Sequence, residues 1–254
     1  MLTAITRGVS PEINQCELSH LSREPIDIEK AVEQHHQYEE CLRELGAKVI
    51  SLPAEPGLPD CMFVEDPALV LDEIAILTRM GAESRRREAD SLAPVLKRYR
   101  PVHWLSAPGT LEGGDVLRVE KTLYVGLSAR TNPEGVAELT AELNPLGYLV
   151  KGVQVRGCLH LKSAACYLGN GTLLAHRPWI DAAAFEGLEI VDVPERRAAN
   201  VLAIGHTVMI AAGFPRTARL IESLGWNVRL LDISELMKAE AGLTCSSLLF
   251  DANE

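Results

Sequence analysis

Cys245 stands in Gly242-Leu243-Thr244-Cys245-Ser246-Ser247-Leu248-Leu249, a thiol among hydroxyl residues at the entrance to an apolar run. An isolated cysteine in such a place is commonly a small buried hydrophobe. With a histidine elsewhere in the chain it can instead serve as a nucleophile. His160, in Cys158-Leu159-His160-Leu161-Lys162-Ser163, holds the comparable position before another apolar run. Cys158 and His160 could be read as metal ligands, but no second pair at zinc-like spacing completes the set, and no metal is expected. Thr110-Leu111-Glu112-Gly113-Gly114-Asp115 and Phe63-Val64-Glu65-Asp66-Pro67 each place two acids just ahead of a strand. Asp and Gly favour turns on their own account; the shared station, repeated at His160, is what gives them weight. Arg85 and Arg130 follow the second strand of successive units, so both point toward the same mouth. Acids would hold a cation and arginines would grip a carboxylate in bidentate fashion. A ligand with both ends is an amino acid of the arginine type.

The elements that must position these residues repeat one plan: strand, tight turn, strand, polar loop, helix, glycine turn, strand. Ala68 to Leu71 turns into Ala75 to Thr78, with a helix expected from Arg85 to Tyr99. Asp115 to Val119 turns into Leu123 to Gly126, with a helix over Glu134 to Asn144. Ala164 to Leu168 turns at Gly169-Asn170-Gly171 into Thr172 to Ala175, with a helix near Ala182. Val201 to Ile204 turns into Thr207 to Ile210, followed by a helix from Thr217 to Leu224. Asn-Gly between apolar runs is a hairpin signal, and Pro133 and Pro215 suit the first helical turn. Leu2 to Arg7, a helix at Ile28 to Leu45, the strand Lys48 to Leu52 and the C-terminal Ser246 to Phe250 together make a fifth unit. Five units of about 51 residues fill the 254, and radial repetition would set their equivalent loops around one mouth. The expectation is one domain over residues 1–254, an α/β propeller of five ββαβ modules. A repeat that closes on itself leaves no edge demanding a partner, so a monomer or homodimer is expected.

Composition narrows the class. The chain is 47% hydrophobic and 24% charged, which excludes disordered, collagen-like and mucin-like classes. At this length roughly 70–75% of the unfolded surface can be buried, so a core needs no disulfide or structural metal. Twenty-five Lys and Arg against 35 Asp and Glu leave −10, with Arg85-Arg86-Arg87 the one short basic run. No nucleic-acid partner is expected. No apolar run approaches the roughly 18 residues of a membrane span, and Met1 to Arg7 lacks a signal-peptide pattern. Six cysteines then read as free thiols in a reducing, cytoplasmic setting, without a membrane partner.

Phe63-Val64-Glu65-Asp66-Pro67, Leu111-Glu112-Gly113-Gly114-Asp115, Gly126-Leu127-Ser128-Ala129-Arg130-Thr131-Asn132, Leu159-His160-Leu161-Lys162-Ser163 and Leu243-Thr244-Cys245-Ser246-Ser247-Leu248 together resemble the dimethylarginine dimethylaminohydrolases. These belong to the guanidine-modifying superfamily with its five-bladed α/β propeller. The resemblance runs from about Ser19 to Phe250 and includes Ala31-Val32-Glu33-Gln34-His35 and Gly81-Ala82-Glu83-Ser84-Arg85-Arg86. It implies a thiol hydrolase that converts Nω-methylated arginine, a small-molecule substrate, to citrulline and a methylamine without any cofactor; the alternatives are an arginine deiminase or citrulline hydrolase of the same superfamily, or a non-catalytic amino-acid-binding propeller. Cys245 would attack the guanidinium carbon, His160 would protonate the leaving amine and then activate water, and Glu112 would orient His160. Asp66 would hold guanidinium N–H groups, with Asp60 and Glu65 near the amino end and pocket and Arg85 and Arg130 on the carboxylate. A guanidinium bound beside Cys245 would itself favour the thiolate. Asn14 to Leu18, at the place of the family's lid, departs from the family pattern. Ser246 follows the nucleophile where some relatives carry a second cysteine.

Overall fold

A computed structural model describes residues 1–252. β1 (Leu2–Arg7) lies parallel to β2 (Lys48–Leu52), with α1 (Ile28–Glu44) crossing between them. Asp27 starts α1 by accepting the Lys30 N–H, and Ala31, Tyr38, Cys41 and Leu42 form its buried stripe at helical spacing. In the second unit, β3 (Ala68–Val70) and β4 (Ala75–Leu77) pair antiparallel, α2 (Glu88–Leu96) crosses over, and β5 (Val102–Trp104) returns parallel to β4. The third repeats this with β6 (Val116–Val119), β7 (Thr122–Leu127), α3 (Pro133–Leu143) and β8 (Leu149–Gln154). The fourth opens with the single turn α4 (Leu161–Ala164), then β9 (Ala165–Gly169), β10 (Thr172–Ala175) and β11 (Glu189–Asp192). Its hairpin turns at Asn170-Gly171, both at positive φ, as such a two-residue turn requires. The fifth comprises β12 (Leu202–Ile204), β13 (Thr207–Ala211), α5 (Pro215–Ser223) and β14 (Asn227–Leu231). Finally β15 (Leu248–Asp251) runs antiparallel to β1 and completes the first unit.

Each unit is thus one three-stranded blade, and the blades close into a ring through the apolar residues between them. Ile5, Leu248 and Phe250 of blade one pack with Ala75, Leu77 and Leu92 of blade two. Leu71 and Ile76 meet Val116 and Leu123 of blade three, while Leu117 and Val153 meet Leu173 of blade four. Leu168 and Leu174 meet Val208 and Ile210 of blade five, and Met209 and Leu231 return to Ala4 and Tyr38 of blade one. Five inter-blade cores therefore replace one central core. The axis is a cavity of about 260 Å³ lined by one strand of every blade: β3, β6, β9, β12 and β15.

Two local expectations are corrected. The helix expected from Arg85 to Tyr99 is shorter: a 3-10 turn at Glu83–Arg85 precedes α2, which stops at Leu96. Near Ala182 there is no α-helix; the fourth crossover uses 3-10 turns at Arg177–Trp179 and Ala182–Phe185, because Pro178, Asp181 and Gly187 leave too few residues for a longer one. Ring closure also leaves edges. At the rim β2, β5, β8, β11 and β14 each pair on one side only, as do β3, β6, β9, β12 and β15 facing the axis.

Blade contacts are close enough to test. A Cβ on Gly113 would lie 2.0 Å from the Glu65 carbonyl oxygen and 2.9 Å from that of Ala68, both main chain of blade two. Gly113→Ala is expected to cost about 2 kcal/mol or more and to lower Tm by several degrees in thermal melts. Gly152→Ala, whose nearest neighbour would be a Leu127 methyl at 3.5 Å, should leave Tm unchanged or slightly raised. Equal melting of Gly113→Ala and wild type would contradict this account of the blade junction.

Candidate active site

Four blades deliver a chemically active side chain from the residues just ahead of their innermost strands. Asp66 precedes β3, Glu112 precedes β6, His160 precedes β9 and Cys245 precedes β15. The apolar strands bury themselves between neighbouring blades, so the polar residues before them converge at one mouth. Asp66, Glu112 and His160 are all buried and bring oxygen and nitrogen atoms within 4.8 Å of one another. Cys245 sits in a 3-10 turn at Thr244–Ser246, and the Glu65 N–H donates to its carbonyl at 3.3 Å. It is the one half-exposed cysteine among six free thiols; Cys16, Cys41, Cys61, Cys158 and Cys166 are buried.

At the centre of the cluster His160 Nε2–H donates to Glu112 Oε2 at 2.7 Å. The other ring nitrogen, Nδ1, lies 3.8 Å from Asp66 Oδ1. Burial works against a charged imidazole, but Asp66, Asp115 and the Glu112 bond outweigh it and raise His160 to about 9. Burial likewise opposes charge on Glu112, yet the His160 bond and the charges of His160, Arg85 and Arg130 hold it near 2. For the Cys245 thiol all the large influences point upward. Burial, then Glu65 and Asp66, push it well above the ordinary thiol range, against the Gly242 N–H 3.4 Å from Sγ and the Lys162 charge. In the free site the thiol is therefore held neutral and the imidazole is held charged. Gly114 makes the convergence possible, since a Cβ there would meet His160 Nδ1 at 2.5 Å and Asp66 Oδ1 at 2.7 Å.

The remaining anticipated residues line the same mouth with distinct roles. Arg85 is buried and already holds two carboxylates, Glu88 through Nε and Nη2 at 2.9 and 2.8 Å and Asp66 through Nη1 at 2.9 Å. Two of its five N–H groups remain for another acceptor. Arg130 Nη1 donates to Glu112 Oε1 at 3.3 Å and Nη2 donates to the Ser19 hydroxyl at 3.0 Å. Asp60 accepts the Glu17 N–H at 3.0 Å, and burial raises its carboxyl. Glu65 is engaged from below: Lys162 pairs with one oxygen and the Thr244 hydroxyl donates to the other at 2.7 Å.

Several contributors are invisible in local sequence because their partners lie far along the chain. Asp115 accepts from Ser128 and Thr131 hydroxyls at 2.6 and 2.8 Å and from the Leu161 N–H at 2.8 Å, fixing the turn that carries His160. Glu240, in a left-handed conformation at φ 59°, receives the successive N–H groups of Ser19, His20 and Leu21. With Asp60, Arg130 and Ser84, whose hydroxyl donates to Glu17, it straps residues 17–21 across the mouth. Beside that strap lies a cavity of about 240 Å³ lined by His20, Leu21, Trp179, Arg196, Phe214 and Gly242, among others. A cation could in principle use Asp66, Glu112 and His160, but Glu112 and His160 bind each other and Asp66 binds Arg85. Cys158 is turned away, its Sγ donating to the His160 carbonyl at 3.4 Å.

Comparison with known proteins gives a consistent answer. Residues 9–174 match the family described as N,N dimethylarginine dimethylhydrolase, eukaryotic. The chain is 39% identical to N(G),N(G)-dimethylarginine dimethylaminohydrolase of Streptomyces coelicolor, over 96% of this chain and 95% of the relative. It is 39% identical to the Pseudomonas aeruginosa protein of the same name, over 91% and 92%. The crystal structure of a cysteine-to-serine variant from Pseudomonas aeruginosa in complex with citrulline superposes with a TM-score of 0.93, at 35% identity, over 98% of this chain and 100% of that one. A histidine-to-glycine variant carrying an S-methyl-L-thiocitrulline adduct also gives 0.93, at 36% identity over 98% and 100%. The N-terminal domain of a cyanobacterial arginine dihydrolase, 19% identical over 98% of each chain with a TM-score of 0.84, shares the fold. A five-bladed α/β propeller with these motifs in order, and with this identity over nearly its full length, belongs to the dimethylarginine dimethylaminohydrolase family.

Proposed function

We propose that this chain hydrolyses Nω-methylated L-arginine, asymmetric dimethylarginine and monomethylarginine alike, to L-citrulline and a methylamine. The observation that carries the assignment of roles is the buried 2.7 Å bond between His160 Nε2 and Glu112, on a mouth shared with the half-exposed thiol of Cys245. Glu112 fixes the imidazole through one nitrogen and stabilises its charge, which leaves Nδ1 for proton transfer. The guanidinium enters a site crowded with carboxylates, held by Asp66, and Asp60 takes the amino group. The substrate carboxylate goes to Arg130 and to the Arg85 N–H groups that Glu88 and Asp66 leave unused. Glu65, tied to Lys162 and Thr244, supports the floor beneath Cys245.

The thiol starts neutral, so the bound cation has work to do. Its positive charge, placed beside Cys245, offsets the Glu65 and Asp66 fields and favours the thiolate, the thiol proton leaving to solvent. The thiolate adds to the guanidinium carbon, forming the S–C bond of a tetrahedral adduct. His160 gives its proton to the methylated nitrogen, the C–N bond breaks, and the amine leaves a covalent thiouronium. The now neutral His160 takes a proton from water, hydroxide adds to the same carbon, and the S–C bond breaks to release citrulline and the thiolate. One water is consumed and one amine released, with no oxidant, reductant or cofactor required.

Purified protein incubated with asymmetric dimethylarginine should yield citrulline and dimethylamine by mass spectrometry, and Cys245→Ser should yield neither. Ammonia from arginine or citrulline, without dimethylamine from the methylated substrate, would contradict the substrate assignment. The acid must be protonated to release the amine, so kcat/KM is expected to fall as pH rises through about 9, where His160 of the free enzyme loses its proton. A pH profile that instead loses activity on the acidic side of 7 with no descending limb above it would contradict His160 as the proton donor.

A further inference from the structure

The station held by Asp66, Glu112, His160 and Cys245 in four blades is occupied in blade five by Asn200, just ahead of β12. Its carboxamide is buried and uses both ends. Oδ1 accepts the Thr244 N–H at 3.2 Å; Nδ2 donates to the Thr244 hydroxyl at 3.1 Å and to the Lys162 carbonyl at 3.0 Å. The Thr244 hydroxyl donates to Glu65 Oε2 at 2.7 Å, and Lys162 returns to the other oxygen of Glu65. Asn200, Thr244, Glu65 and Lys162 therefore close a ring of polar contacts drawn from four blades. Thr244 directly precedes Cys245, and Lys162 lies two residues beyond His160, so the ring joins the peptide carrying the nucleophile to the peptide carrying the acid. Gly242 is shaped to it: a Cβ there would fall 2.2 Å from Asn200 Oδ1. Only a carboxamide of this length supplies one acceptor and two donors in that space. Aspartate lacks the donors, and glutamine adds a methylene where Gly242 already touches.

We infer that Asn200 is a positioning residue for the hydrolytic reaction: it locks the Cys245 turn to the segment following His160 and so sets the approach of sulfur to the guanidinium carbon. The inference rests on the roles given above to Cys245 and His160. Displacements of about 1 Å in such geometry cost on the order of 10²-fold in rate, while the contacts of Asp60 and Arg130 with substrate lie outside the ring.

Asn200→Ala and the isosteric Asn200→Asp are compared with wild type for folded fraction, for kcat and KM with asymmetric dimethylarginine, and for Cys245 alkylation by iodoacetamide across pH. Per folded enzyme, kcat should fall about 10²-fold in both with KM within about threefold. In Asn200→Asp the alkylation profile should move to higher pH, because a carboxylate now faces the residue next to Cys245. Should Asn200→Ala fail to fold, Asn200→Asp carries every readout. The inference is overturned by a kcat within threefold of wild type, by a KM that rises in proportion to the loss, or by an unmoved alkylation profile. Wild-type protein that makes no citrulline would overturn the reaction assignment instead, while the alkylation profile would still decide whether Asn200 governs the thiol.

Discussion

The structure depends on gathering ionised groups at the centre of a ring where little water reaches. Asp60, Glu65, Asp66, Glu88, Glu112 and Asp115 are buried there, against Arg85, Arg130 and the partly buried Lys162. An isolated buried carboxylate would cost several kcal/mol, so each must find a partner: Glu112 with His160 and Glu65 with Lys162 pair between blades, and Asp66 with Arg85 pairs within blade two. Even with Glu88 raised to about 7, the remaining five acids outnumber the three permanent cations. Two consequences follow from that one imbalance: His160 keeps its proton, and a cationic ligand is drawn in. The same field raises the Cys245 thiol, and in the proposed mechanism it stays neutral until such a ligand arrives.

The pH window of the pair follows from the direction of each shift. His160 is raised from 6.5 to about 9, so its contribution to stability is complete below its ordinary value and lost as pH rises through 9. Glu112 is lowered from 4.5 to about 2, so its contribution is complete above 4.5 and lost as pH falls toward 2. Over the range between, the bond that orients the acid is intact. The cores joining blade two to three and three to four provide the rigidity it needs, since the loops of those blades carry the partners in the ion network.

Much of this was legible in the chain because hairpin turns and apolar runs are local signals. The alignment of Asp66, Glu112 and His160 ahead of successive strands was visible before any coordinates, and β15 completing the unit begun by β1 followed from counting repeats. What local reading missed depends on partners brought together only by ring closure. Glu240 binds Ser19 across 221 residues and Asn200 binds Thr244 across 44, and no spacing rule connects them. Arg85 reads from its station as a grip for a carboxylate, yet Glu88, three residues on, engages it through a helical-spacing contact at the start of α2. The fourth crossover failed as a helix for a plain reason, too few residues between its Pro, Asp and Gly.

The central claim is that the buried carboxylates keep His160 protonated in the free enzyme at neutral pH. The most direct measurement is a pH titration of nitrogen-15-labelled histidine by NMR, with His160 assigned by comparison with His160→Gln. The account predicts a doubly protonated His160 ring at pH 7 that loses its proton near 9. A His160 ring already neutral at pH 7, with a transition at or below the ordinary 6.5, would contradict it.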